Sequence, residues 1–245
     1  MDNYYKIKII VDLLGYFSGG IAGYLSFKYY FKKNIENVFN NSEQKIFYYL
    51  GILAGAMFLA ILVSTFDNYV SGYFAKNFGE GLVLSKTIAG AIAGGVISSE
   101  IIKKIYKLDF NTGVVFVPSL IVGTIVGRIG AFLIGLRDNT HGLPTSLPWG
   151  YNYGNGVLRH PTQIYEILVL LFIGVLLVLG LKYKRDYWLR NGFFIFCLVY
   201  FLYRFFVGFI MPYSHFWVGM NSYQIISIGM IIYAVYKLIK FNCGK

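Results

Sequence analysis

Seven apolar runs, each about as long as a bilayer is thick, constrain this chain more than anything else in it. They extend from about Ile7 to Tyr30, Ile46 to Phe66, Val83 to Ile102, Gly113 to Leu136, Gln163 to Leu181, Gly192 to Ile210 and Tyr223 to Ile239. A hydrocarbon core of about 30 Å needs roughly 20 apolar residues of helix to cross it, so each run qualifies as a span. Only 13% of residues are charged and 57% are hydrophobic, which excludes a water-soluble globule. The expected fold is all-α: a polytopic integral membrane protein, residues 1–245 forming a single helical domain with about seven transmembrane helices. The fourth run carries Pro118, Gly123, Gly127 and Gly130, which membrane helices tolerate and use for close packing. The first run follows a short polar start with no small-residue cleavage site, so it is expected to stay as a span.

Lys and Arg set the expected orientation. Lys28, Lys32, Lys33 and Lys45 fall in the first loop, Lys103, Lys104 and Lys107 in the third, Lys182, Lys184, Arg185 and Arg190 in the fifth, and Lys237, Lys240 and Lys245 in the tail. The intervening loops carry Lys76, Arg137 and Arg159. Positive residues stay in the cytoplasm, so the N-terminus is expected outside and the C-terminus inside. The net charge of +11 therefore belongs to topology, and no nucleic-acid partner is expected, because no basic residues cluster with aromatics in a polar groove. Cys197 and Cys243 are too few for a disulfide framework or a metal site, and neither a metal nor a cofactor is expected. All three histidines, His141, His160 and His215, fall in or beside the loops assigned to the outside.

Two features point to chemistry. The loop 137–161, RDNTHGLPTSLPWGYNYGNGVLRHP, is long and dense in Gly, Pro and Asn, and is expected to fold as turns. It is either an active-site loop or a passive linker whose Trp149, Tyr151 and Tyr153 form an interfacial belt. The second feature is a pair of intramembrane arginines, Arg128 in GTIVGRIGAF and Arg204 in YFLYRFF. A charge inside the hydrocarbon costs about 2.5 to 3.5 kcal/mol on insertion scales, so both should face the bundle interior and meet an anion. That anion is a phosphate, which suits the planar guanidinium fork, or a helix carboxylate such as Glu166. Gln163 and Glu166 lie three apart and share a helix face, and Tyr200 lies one turn before Arg204 on the same face.

GRIGAF at Gly127 to Phe132, PWG at Pro148 to Gly150, RHPTQIYE at Arg159 to Glu166, YFLYRFF at Tyr200 to Phe206 and, more weakly, YQIISIGM at Tyr223 to Met230 resemble prolipoprotein diacylglyceryl transferases in order and spacing. The resemblance implies a seven-span enzyme of the bacterial plasma membrane. Its reaction moves a diacylglyceryl group from phosphatidylglycerol to the lipobox cysteine of a preprolipoprotein. It implies as partners a phosphatidylglycerol-like phospholipid, a lipobox peptide and the lipid bilayer. It implies catalytic roles for Arg128 and Arg204, with His160 or His141 as candidate bases, and substrate-binding roles for Arg159, Gln163, Tyr165, Glu166, Tyr200, Gly127 and Gly130.

The chain also departs from the family pattern. Ile88, Ala89 and Gly90 stand where the family has HGG, Ala131 replaces the asparagine of GRIGNF, and Leu136 replaces a glutamate. Gly208 and Met211 stand where Glu and Arg are expected. Three consequences stay open: His141 or His160 replaces the lost histidine, the arginines alone acidify the thiol, or the acceptor is different. A lipid-binding or transport protein that kept the fold without the chemistry is the rival reading.

Overall fold

A computed structural model describes residues 3–32, 39, 41–70, 86–108, 111–213 and 218–243. His215, Lys76 and the first residues of the expected third span lie outside the described residues.

Seven α-helices are described: α1 (Asn3–Ser26), α2 (Ser42–Val70), α3 (Ile88–Ile105), α4 (Val117–Ile134), α5 (Thr162–Tyr183), α6 (Arg185–Val207) and α7 (Ser222–Cys243). Among the described residues, six helical segments are long and apolar enough to cross a membrane; α3 is the helix not among them. It spans 18 residues and carries Glu100, Lys103 and Lys104 near its end. The chain is thus an all-α polytopic membrane protein. α4 is entered through a 3-10 turn, Gly113–Phe116, which places Pro118 in the first helical turn, where its missing N–H costs nothing.

Small residues seam the helices in antiparallel pairs. Gly15, Gly19 and Gly23 of α1 meet Ser119, Gly123 and Gly127 of α4; a Cβ on Gly19 would come within 2.9 Å of the Ser119 carbonyl oxygen. Gly55 of α2 and Gly94 of α3 approach so closely that a Cβ on Gly94 would lie 2.1 Å from the Gly55 oxygen. In a membrane no hydrophobic force drives helices together, so van der Waals contact between bare backbones supplies the attraction.

α6 is packed against α5 and α7, with Phe194, Phe196, Cys197, Tyr200, Phe201 and Arg204 all buried. The outward strips stay apolar: Leu168, Leu171, Phe172 and Val175 of α5 are exposed, as suits a surface bathed in lipid.

Polar contacts define the two ends of the bundle. At the basic end, the Tyr48 and Thr112 hydroxyls hydrogen-bond at 3.1 Å, Arg185 donates to the Tyr30 carbonyl at 2.6 Å, and Lys237 pairs with Glu100. At the opposite end, Lys8 pairs with Asp138 at 3.4 Å and Ser222 donates to Asp67 at 2.7 Å. The long loop sits at this second end.

Residues 137–161 are more ordered than a run of turns. β1 (Tyr151–Asn152) pairs antiparallel with β2 (Leu158–Arg159), and Pro144 bridges to Arg159. The hairpin tip needs positive φ at Gly154 (+100°) and Gly156 (+79°), and the Asn152 carboxamide accepts from both of their N–H groups. Backbone bonds then stitch the loop down: Gly142 N–H to the His160 oxygen at 2.9 Å, and Leu143 N–H to the Ile210 oxygen at 2.7 Å.

Candidate active site

Three helices each aim one ionised side chain at a common point near the loop end. Glu166, one turn into α5, is 2% exposed at its side chain and lies between both arginines. Arg128 Nε of α4 is 2.9 Å from Glu166 Oε2, and Arg204 Nη1 of α6 is 3.1 Å from the same oxygen. The other oxygen, Oε1, accepts from the Tyr200 hydroxyl at 2.8 Å. The shared anion required by two intramembrane cations is therefore, in the first instance, an internal carboxylate. Two positive charges and one negative leave the cluster one charge positive. Arg204 Nε is buried with no hydrogen-bond partner among the described residues, and its Cζ lies over the Tyr223 ring, 5.7 Å from the ring centre. Arg128 keeps 16% of its side chain exposed, against 6% for Arg204, so it is the more reachable of the two.

Gln163 sits one turn above Glu166 on the same face and is likewise buried. It accepts from the Tyr153 hydroxyl at 2.8 Å and donates to Thr140 Oγ1 at 3.2 Å, which ties the loop to α5. Burial pushes the Tyr153 phenol up to about 12, so it remains a donor. Thr162 Oγ1 donates to the Thr140 carbonyl, and the Tyr203 hydroxyl donates to the Thr162 carbonyl at 3.0 Å, so the first turn of α5 is held from both sides.

The other expected site residues lie apart from this cluster. His160 uses Nδ1 to contact the Tyr165 hydroxyl at 3.1 Å, and Tyr165 also accepts from Trp149 Nε1 at 2.9 Å. Tyr165 thus faces the loop rather than Glu166. His141 is 8% exposed, packs against Tyr153 and has an unpartnered Nδ1 among the described residues. Burial first, then the positive charge of Arg159, holds its pKa below the ordinary histidine value. Arg159 lies in β2 with its Nε buried and unpartnered among the described residues. Gly130 faces α1, where a Cβ would overlap the Val11 side chain, so it is a packing position; a Cβ on Gly127 would meet nothing within 4 Å. Tyr203, Tyr223 and Thr140 support the cluster and were not among the expected residues; Tyr203, adjacent to Arg204 in YFLYR, is the one that sequence could have offered.

These features define a class: a multi-pass helical membrane protein with a buried cluster of two arginines and one carboxylate at one end of its bundle. The chain belongs to the prolipoprotein diacylglyceryl transferase family, whose pattern it matches over residues 6–240. Members of that family are enzymes of the bacterial plasma membrane. The chain is similar to phosphatidylglycerol–prolipoprotein diacylglyceryl transferases from several bacteria. It is 33% identical to that of Finegoldia magna over 212 residues, covering 83% of this chain and 81% of the relative. Over 193 residues it is 30% identical to that of Campylobacter jejuni, covering 72% and 64%. Over 131 residues it is 34% identical to that of Oceanobacillus iheyensis, covering 46% and 44%. No solved structure matches.

Proposed function

We propose that this protein transfers the diacylglyceryl group of phosphatidylglycerol to the cysteine sulfur of a preprolipoprotein lipobox, at the extracytoplasmic face of the plasma membrane. The observation that carries the reading is the convergence of Arg128 and Arg204 on Glu166, which leaves one uncompensated positive charge. A phosphodiester carries one negative charge, so its arrival neutralises the site. The guanidinium of Arg128, the more exposed of the two, is the donor it would meet first.

The reaction then needs little else from the chain. The acceptor sulfur attacks the glyceryl carbon bonded to the phosphate oxygen; the carbon–sulfur bond forms as the carbon–oxygen bond breaks. Glycerol phosphate leaves with the electron pair, the charge growing on its oxygens beside the two arginines is offset by the proton that the thiol gives up, and the thioether stays on the acceptor. Preorganised donors at such a point are a large catalytic term. A thiol with an ordinary pKa of about 8.5 is mostly protonated at neutral pH, and nearby cations favour the thiolate. Among the described residues neither His141 nor His160 hydrogen-bonds a member of the Glu166 cluster, so we assign the acidification to the guanidinium pair and a loop-ordering role to His160.

Purified protein with labelled phosphatidylglycerol and a lipobox peptide tests this. Arg128→Ala and Arg204→Ala should each lower transfer by about 100-fold or more, the loss typical of a missing transition-state donor. Arg204→Lys, which keeps the charge but not the fork, should also be severely impaired. Undiminished transfer by both alanine variants would overturn the mechanism. Lipid binding without any thioether product in the unmodified protein would instead favour the binding or transport reading, which the Ile88 substitution motivates.

A further inference from the structure

Several phenols surround the Glu166 cluster, and most of their hydroxyls are engaged. Tyr200 donates to Glu166 at 2.8 Å, Tyr203 to the Thr162 carbonyl at 3.0 Å and Tyr153 to Gln163 at 2.8 Å. Tyr213 and Tyr223 differ: among the described residues neither hydroxyl has a hydrogen-bond partner. Tyr223 already meets Arg204 through its ring face, with Cζ 5.7 Å from the ring centre. A group held over a ring face is out of line with the O–H, which lies in the ring plane. Tyr213 has no such contact with a cation, so its hydroxyl is the donor that the cluster leaves unused.

The backbone that carries Tyr213 is held from two sides. Beyond α6 the chain makes a 3-10 turn, Gly208–Ile210, whose Ile210 carbonyl accepts from Leu143 of the loop at 2.7 Å. From the other side, Asn221 Nδ2 donates to the Gly208 carbonyl at 3.2 Å and Gln224 Nε2 to the Phe205 carbonyl at 3.2 Å. Met211 then extends (φ −89°, ψ 147°) and buries its side chain, which brings Tyr213 onto the first turn of α7. There the Tyr213 and Tyr223 ring centres are 4.8 Å apart. Tyr213 is thus one ring away from Arg204, at the loop end of the bundle.

Arg204, Arg128 and Glu166 all act electrostatically on the Tyr213 phenol. Burial raises its pKa and the two arginines draw it back, with the net shift upward, so at neutral pH the hydroxyl keeps its proton. Guanidinium N–H groups only donate, and therefore offer that proton no acceptor. Glu166 offers none either: its Oε2 takes both arginines and its Oε1 takes Tyr200. An anion entering the cluster brings the acceptor that is missing.

We propose that Tyr213 donates a hydrogen bond to a non-bridging oxygen of the phosphodiester held at Arg128 and Arg204, closing the anion site from the side of α7. The inference rests on the transfer reading above and adds a substrate contact outside GRIGAF, RHPTQIYE and YFLYRFF. The proton stays on the phenol oxygen throughout. The accepting oxygen gains charge as the carbon–oxygen bond breaks, so the hydrogen bond strengthens toward the transition state.

The test uses the full chain in detergent micelles with labelled phosphatidylglycerol and a lipobox peptide. Tyr213→Phe removes one oxygen and keeps the ring contact with Tyr223. It should lower kcat/KM for the lipid by about 10- to 100-fold, as expected for a lost hydrogen bond to a charged group, with an unchanged melting temperature. Tyr69→Phe, at a 75%-exposed phenol near the same end of the bundle, is the control and should leave kcat/KM unaltered. A purely structural role is separated by phosphatidylglycerol carrying sulfur in place of one non-bridging oxygen, a weaker acceptor, resolved into its two diastereomers. The unmodified protein should turn over one diastereomer more slowly, and that penalty should shrink in Tyr213→Phe.

An unchanged kcat/KM in Tyr213→Phe, an undiminished sulfur penalty in that variant, or a larger loss in Tyr223→Phe would overturn the proposal. Failure of the transfer reading looks different: no thioether forms in the unmodified protein, yet Tyr213→Phe still weakens phosphatidylglycerol binding several-fold, measured by displacement of a fluorescent analogue. Equal binding by the two proteins in that assay would overturn the Tyr213 contact as well.

Discussion

The bundle contains the same polar motif twice, once at each end, and the two copies behave differently. At the basic end Glu100 is met by Lys237 at 2.6 Å, Lys103 at 3.5 Å and the Tyr233 hydroxyl at 3.0 Å. At the loop end Glu166 is met by Arg128, Arg204 and the Tyr200 hydroxyl at 2.9, 3.1 and 2.8 Å. Each is one carboxylate, two cations and one phenol. Glu100 keeps 35% of its side chain exposed and Glu166 only 2%. The exposed cluster uses lysine, a compact and strongly hydrated charge, while the buried one uses the flatter, less hydrated guanidinium that tolerates desolvation. Water screens the first, so it contributes little beyond anchoring a helix end near the headgroups. The second has no such screening, and its residual positive charge is felt in full by whatever enters.

The largest expected difference lies in removing the carboxylate. Glu166→Ala leaves two guanidiniums facing each other in a dry site and should cost about 3 to 5 kcal/mol of unfolding free energy in detergent. Glu100→Ala should cost at most about 1 kcal/mol. Equal losses in denaturant titrations would break the comparison. The phenols give a smaller contrast: Tyr200→Phe removes a hydrogen bond to a buried charge and should cost about 1.5 to 3 kcal/mol. Tyr233→Phe, at the wetter end, should stay within about 0.5 kcal/mol.

The smallest effect sharpens the picture of the loop end. His141 has a folded pKa below its unfolded value, so the unfolded chain binds more protons between the two. Its neutral form costs nothing above the ordinary value of 6.5, and stability falls as pH drops through that value toward the depressed one. Melting temperature should therefore decline on mild acidification, and His141→Gln should flatten that part of the profile. An unaltered slope in the variant would assign the pH dependence elsewhere.

Much of this was legible in the residues. Apolar runs of span length located the helices, because in lipid the backbone has few alternatives to a helix. Arg128 and Arg204 declared themselves by their cost in a greasy segment, and the three-residue spacing of Gln163 and Glu166 placed both on one buried face. Helical periodicity could not say that Glu166 would take both arginines, since that depends on how α4, α5 and α6 are rotated against one another. Tyr165 shows the same limit: Gln163 and Glu166 face the bundle, yet 100° of helical turn from Glu166 sends the Tyr165 ring to Trp149 and His160. Gly130, expected near substrate, instead admits Val11 of α1. The order of the loop was hidden by its composition, because Gly, Pro and Asn report local turns and not the stitches to Ile210 and Thr162 that pin it.

The hairpin tip has open space around its glycines. At Gly154 and Gly156 even an added methyl would touch no neighbour, although their dihedral angles reserve both positions for glycine. Asn155 between them offers an engineering handle: a cysteine there could carry a bulky, membrane-impermeant label without disturbing the stitched base. Whether sealed vesicles admit that label from outside or only after lysis would read out directly which way the chain is threaded.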